Sequence, residues 1–199
     1  MTSGKTDYAS LEQKLKTMLT PDRYRHSLGV METAEKMARQ FGEDAEKAKI
    51  AGLLHDCAKD IDKDEMIAMC DALGVELDPV KREQRSVVHA DLGAKLLETE
   101  FGIFDPDIIS AVKYHTLGRV NMTNLEKILY IADIIEPGRK PWEGIEDLRR
   151  IAMADLDCAM LYAVDRSVEY VLHRHKILHS QTLATQQYFS KICKERVTG

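Results

Sequence analysis

The chain is predicted to be all-α, a single helical domain spanning residues 1–199 with its core from Tyr8 to about residue 190. Three observations predict this. Apolar residues recur with the 3.6-residue period of helices, and no stretch sustains the two-residue alternation of a half-buried strand. Proline and glycine punctuate the chain where helices start and stop. No linker rich in Gly, Ser or Pro, no internal repeat and no low-complexity tract divides it.

The elements follow in order. Met1 to Thr6 is expected as a frayed start. A first helix runs from Tyr8 to Leu19 and stops at Thr20-Pro21, because the residue before proline is pushed out of the α region. Pro21 opens a second helix with His26, Val30, Met31, Ala34 and Met37 on one stripe, ended by Phe41-Gly42. Asp44 caps a third helix through Ala58. Ile61 to Leu73 is a short amphipathic helix ending at Gly74, and Val75 to Arg85 is a charged loop. Helix resumes from Val87 to Phe101, and Asp105-Pro106 starts another that reaches His115. Gly118 to Thr123 is a loop, Asn124 caps Leu125 to Ile135, and Glu136-Pro137-Gly138 ends that helix. Pro141 to Gly144 is a turn, followed by helices over Asp155 to His173 and Thr182 to Lys194.

Composition narrows the function classes. Hydrophobic residues make up 44% and charged residues 31%, which marks a globular protein with a real core. The formal net charge of −5 argues against a partner that is a nucleic acid polymer, since duplex binders are normally basic. No run reaches the length of a membrane span, and no basic-then-apolar leader opens the chain. Four cysteines without C-x-x-C spacing read as reduced thiols, so a cytoplasmic location is expected. Apolar positions expected to be exposed on the first helix suggest a homodimer.

The chemistry concentrates at Gly52-Leu53-Leu54-His55-Asp56-Cys57-Ala58-Lys59, where an apolar run delivers a histidine and a carboxylate to the inner end of a helix. His26, His89 and His115 also fall on helices with small or apolar neighbours, and Asp133 lies inside Leu129-Tyr130-Ile131-Ala132-Asp133-Ile134-Ile135. A lone histidine on an apolar face is more often a hydrogen-bonded core residue than a ligand. Together, these buried polar groups would each need a partner, and one shared metal centre satisfies them all. Six such groups suit two divalent metals bridged by a carboxylate; without thiolate, the set fits Fe, Mn, Co or Zn. A pair of that kind clamps a phosphoryl oxygen and activates water. Cys57 reads as a small buried residue rather than a nucleophile. His173, His175 and His179 read as helix-end histidines facing the dipole, with a further metal site as the alternative.

The series His26, His55-Asp56, His89, His115, Asp133 resembles the dinuclear HD-domain phosphohydrolases. Arg25-His26-Ser27-Leu28-Gly29-Val30, His89-Ala90-Asp91-Leu92-Gly93-Ala94 and the tail Glu136-Pro137-Gly138-Arg139 bring it closer, to the YqeK family. That resemblance spans Tyr8 to Phe189. It implies a bacterial HD fold and an iron-type metal pair, with symmetrical hydrolysis of diadenosine tetraphosphate to two ADP. It makes His26, His55, Asp56 and Asp133 ligands of one metal, and His89 and His115 ligands of the other, with Asp56 as the bridge. Asp56, Lys59 and Arg139 become the catalytic group, with Lys59 and Arg139 on phosphates. Thr116 and Gly118 would pass the nucleotide, Thr182 would contact it, and Arg25 and Arg85 would be further substrate contacts. One segment departs from the family. Ser180 stands in place of a usual proline and Thr185-Gln186-Gln187 in place of Ala-Arg-Asn, while Thr182 is retained. The alternatives are a phosphodiesterase acting on another nucleotide and a non-catalytic nucleotide sensor. The Gly-Tyr-Pro signature of the cyclic-dinucleotide branch is absent.

Overall fold

The computed structural model describes residues 7–198, so the expectation for Met1 to Thr6 lies outside the described residues. The elements are α1 (Tyr8–Met18), α2 (Pro21–Phe41), α3 (Ala45–Leu54), α4 (Lys63–Ala72), α5 (Pro79–Glu83), α6 (Val88–Thr99), α7 (Pro106–Tyr114), α8 (Asn124–Ile135), α9 (Ile145–Ala152), α10 (Leu156–His173) and α11 (Ser180–Thr198). No strand occurs among the described residues, as the periodicity predicts. None of these helices is long and apolar enough to cross a membrane.

Most helix starts follow one local rule, α6 and α9 excepted. Side-chain oxygens of Asp44, Asp62, Asp78, Asp105, Thr123 and Asp155 each accept from the first free backbone N–H groups of the helix that follows. Proline follows the cap at α2, α5 and α7, where its missing N–H costs nothing. Helix α8 is apolar on nearly every side and becomes the centre of the bundle, touching α2, α3, α7, α9 and α10. Helix α3 packs between α2, α7 and α8, and α6 lies against α7 and α4. Helix α11 packs on α10.

Several boundaries differ from the sequence reading. Helix α3 ends at Leu54, not Ala58: Cys57, Lys59 and Ile61 bond back only three residues, so His55 to Asp60 form a tight turn. The predicted loop Val75 to Arg85 contains α5 and runs into a single turn at Arg85–Val87, because Asp78-Pro79 is a working helix start. Helix α4 begins at Lys63, where Asp62 takes the cap, rather than at Ile61. Thr123, not Asn124, caps α8, in a reciprocal pair with Glu126. Helix α9 lies between the expected turn at Pro141 to Gly144 and α10, and α11 extends beyond Thr182 and Lys194 at its two ends. Among the described residues the exposed large apolar side chains are Phe104, Val120, Tyr170, Leu172, Ile177 and Leu183, and none lies on α1, so that helix does not present the apolar face expected of it.

Gly52 marks the closest approach of α3 to α2. A Cβ there would lie 2.7 Å from the Cα of Met31 and 2.9 Å from its backbone nitrogen, so the helices would have to separate. Gly52→Ala should therefore cost about 2 kcal/mol or more, a fall of roughly 4–8 °C in Tm for a domain of this size. Gly74→Ala, in a left-handed turn with open space around it, should cost only about 1 kcal/mol. Thermal melts of both variants check this, and equal costs would contradict the close-packing account.

Candidate metal centre

Five helices converge on one point. His26 comes from α2, His55 and Asp56 from the turn after α3, His89 from the first turn of α6, His115 from the end of α7 and Asp133 from the last turn of α8. His55, Asp56, His89 and His115 are buried. Asp133 is one-fifth exposed and His26 one-tenth, so the centre meets solvent on their side.

Each imidazole is oriented by its Nδ1. His55 Nδ1 lies 2.8 Å from the carbonyl of Gly52, His89 Nδ1 2.9 Å from that of Ser86 and His115 Nδ1 2.7 Å from that of Val112. His26 Nδ1 instead meets Glu136 Oε1 at 3.0 Å. An Nδ1–H donated outward leaves Nε2 as a lone-pair donor pointing inward, the tautomer a metal requires.

The inward atoms meet around Asp56. Its Oδ1 lies 3.1 Å from His89 Nε2 and 3.7 Å from His115 Nε2. Its Oδ2 lies 3.5 Å from His55 Nε2 and 3.9 Å from His26 Nε2. One carboxylate oxygen therefore faces each pair of imidazoles. Asp133 Oδ1 completes the second side, 2.9 Å from His26 Nε2 and 3.7 Å from His55 Nε2. The Nε2 atoms of His89 and His115 approach to 3.2 Å. His55 Nε2 is fully buried with no hydrogen-bond partner.

An orphaned buried nitrogen is expensive unless a cation takes its lone pair. Among the described residues, the close clusters of ligand atoms are His26–His55–Asp56, His55–His115–Asp133 and Asp56–His89–His115, all at this centre. The donor set fits divalent metal.

The electrostatics agree. Burial pushes the Asp56 and Asp133 carboxyls up, but the imidazoles around them, and Arg139 beside Asp133, hold both well below the usual carboxylate range. Burial disfavours a charged His55, yet Asp56 and Asp133 outweigh it and raise its pKa to about 10. Burial lowers His89 to about 4, helped by Lys59 and opposed by Asp56. The two carboxylates thus favour positive charge at His55 Nε2, carried either by a proton or by a cation that displaces it. Burial and then the Asp56 charge push the Cys57 thiol up to about 12, so it is no thiolate nucleophile.

Cations flank the centre. Arg23 Nη1 lies 2.9 Å from Asp56 Oδ2. Arg139 donates through Nε to the Asp133 carbonyl at 2.7 Å and through its second arm to the Asp133 carboxylate. Lys59 Nζ rests 3.2 Å from His89 Nε2. A cleft of about 1090 Å³ opens here, lined by Arg23, Arg25, His26, Asp133 and Arg139 among others.

Other predicted contacts are not brought in. Arg25 lines the outer cleft, largely exposed and paired with Asp22. Arg85 pairs with Asp64 at the surface. Thr116 is half-buried beyond His115, and Thr182 is buried with its backbone N–H donating to His179. Gly118 has a φ of +66°, and a Cβ would come within 2.6 Å of Thr185 Cγ2, so its close approach is to α11. His179 pairs with Asp78 at 2.9 Å, and none of His173, His175 and His179 joins the ligand clusters.

Two residues that touch the centre have no local signal in the sequence. Arg23, one turn before His26, carried no motif of its own. Glu136 ends α8 and belongs to the Glu136–Arg139 tail, but nothing in that pattern assigns it a partner, and the structure sets it against His26. Its carboxylate occupies room left by Gly29 and Gly138, where a Cβ would lie 2.9 Å away or closer.

The chain is similar to known proteins over most of its length. Residues 23–138 match the HD domain family. The chain is 38% identical over 173 residues to the "Bis(5'-nucleosyl)-tetraphosphatase, symmetrical" of Halalkalibacterium halodurans, covering 87% of this chain and 91% of the relative. It is 37% identical over 176 residues to the protein of the same description from Bacillus subtilis, covering 87% and 92%. A crystal structure from Clostridium acetobutylicum, described as a predicted HD superfamily hydrolase involved in NAD metabolism, superposes with a TM-score of 0.90. It is 40% identical, with 94% of this chain and 99% of that chain covered.

Manganese or ferrous ion at a thousand times its Kd should stabilise the fold by about 4 kcal/mol, raising Tm by roughly ten degrees. Asp56→Ala should abolish the rise, measured in thermal melts before and after chelator. A rise that survives the substitution would place the ion elsewhere.

Proposed function

The chain belongs to the HD-domain family and, within it, to the YqeK group of symmetrical bis(5'-nucleosyl)-tetraphosphatases, and on that premise we propose that it splits diadenosine tetraphosphate into two ADP. The observation that carries the reading is the division of Asp56, one carboxylate oxygen toward His26 and His55 and the other toward His89 and His115.

Asp56, with an oxygen toward each set of imidazoles, would be held in common by two divalent ions. His26, His55 and Asp133 would hold one of them, and His89 and His115 the other. Iron is the proposed native metal, with Mn, Co or Zn able to serve the same nitrogen and oxygen donors. When bound, such a pair lowers the pKa of water and neutralises charge on a phosphoryl group.

The chain's own residues do the rest. Arg139, anchored on Asp133, offers its planar fork to the polyphosphate at the mouth of the centre. Arg23 reaches the same point from α2, and Lys59 supplies a cation from the opposite side, against His89. These fixed positive groups offset the charge that develops on the oxygens around the attacked inner phosphorus. Water adds its oxygen to that phosphorus, the central anhydride bond breaks, and its bridging oxygen leaves on the second ADP. Glu136 holds His26 in the tautomer that keeps Nε2 free. No side-chain nucleophile is involved.

Metal-loaded protein incubated with diadenosine tetraphosphate should yield ADP as the only nucleotide product by chromatography. ATP with AMP, or no turnover with iron, manganese or cobalt, would contradict the proposal. Asp56→Ala should abolish turnover. Arg139→Ala and Arg23→Ala should each lower kcat by about 10²–10³, the scale of losing one preorganised charge-stabilising donor.

A further inference from the structure

The cleft extends well beyond the groups that would hold phosphate. From His26, Asp133 and Arg139 it continues to Trp142, Arg166 and Tyr170. Arg166 and Tyr170 lie four residues apart on α10 and so share one helix face. The Arg166 guanidinium carbon sits 4.9 Å from the centroid of the Trp142 ring, and its Nη1 lies 3.0 Å from Glu169. The guanidinium is thereby backed by an indole and tied at one edge. Trp142 is itself fixed: it packs on the core, and a Cβ on Gly144 would lie 3.4 Å from its ring and strike the Tyr162 hydroxyl. Tyr170 is 55% exposed, with Arg174 5.4 Å from its ring centroid. None of these groups has a part in the hydrolytic step.

We propose, resting on the hydrolase reading above, that this outer end of the cleft is a nucleoside subsite: the base of one substrate nucleoside stacks on the surface formed by Arg166 and Tyr170, and the polyphosphate runs inward past Arg139. Every nucleobase has a π-face, and both a phenol ring and a planar guanidinium offer a matching one. The guanidinium is planar by its own delocalisation, and the Trp142 ring 4.9 Å away helps hold it in place without presenting a hydrogen-bond pattern to a base. The subsite therefore favours any nucleoside over none and discriminates weakly among bases.

Arg166→Ala and Tyr170→Ala should each raise KM for diadenosine tetraphosphate roughly tenfold, the scale of one lost base-stacking contact, with kcat near wild type. Tyr170→Phe should keep the wild-type KM, while Arg166→Lys, which retains charge but not the plane, should behave as the alanine variant does. Linear inorganic tetraphosphate, used as a competitive inhibitor, should keep its Ki in all four. A Ki that rises in step with KM would make Arg166 a phosphate contact, and an unchanged KM in both alanine variants would overturn the subsite. Trp142 is the sole tryptophan, which gives a readout independent of turnover. A methylene-bridged analogue of diadenosine tetraphosphate should quench its fluorescence and inorganic tetraphosphate should not. Quenching without turnover of the natural compound would sink the hydrolase reading alone; turnover without quenching would sink the subsite alone.

Discussion

The burial of the Asp56 carboxylate is the constraint on which the rest of the structure depends. At 3% exposure it has lost nearly all its hydration, and an uncompensated charge there would cost several kcal/mol after relaxation. The fold answers by bringing imidazoles to both of its oxygens and Arg23 to one of them. A second carboxylate, Asp133, sits across from it and deepens the negative potential. Two carboxylates facing inward nitrogen lone pairs form a site that gains most from added positive charge.

The placement of the ligands follows from where helices leave backbone carbonyls free. The last turn of a helix has carbonyls with no partner of their own. His55 and His115 each follow a helix end and use the carbonyl three residues earlier; His89, just after a tight turn, does the same. His26 sits inside α2, where the carbonyls are already engaged. It needs a side chain instead, and Glu136 supplies one from the far end of α8. Gly52 serves twice, offering its carbonyl to His55 and, lacking a Cβ, letting α3 lie against Met31 of α2.

This division explains what could be read in advance. Apolar periodicity and capping residues expose the helices, and buried polar residues among apolar neighbours expose His26, His55, Asp56, His89, His115 and Asp133 as one cluster. The tight turn at His55 to Asp60 was not legible, because Ala58 and Lys59 continue a helical pattern and only backbone bonding ends it at Leu54. Helix α9 was missed for a related reason: its start at Gly144 has no side-chain cap. Arg23 and Glu136 act across distances of 33 and 110 residues, which no local pattern carries. Arg85 and Thr182 illustrate the converse. The resemblance implied a role for both, and in the structure Arg85 pairs with Asp64 while Thr182 is buried at the start of α11.

The most direct measurement of the central claim is anomalous diffraction from crystals grown with ferrous iron or manganese, recorded on both sides of the metal edge. The account predicts anomalous density between the Asp56 oxygens and the Nε2 atoms of His26, His55, His89 and His115, with each Nδ1 still on its present partner. Density at a Nδ1 atom, or an ion bound away from Asp56 while His55 Nε2 meets only water, would contradict it.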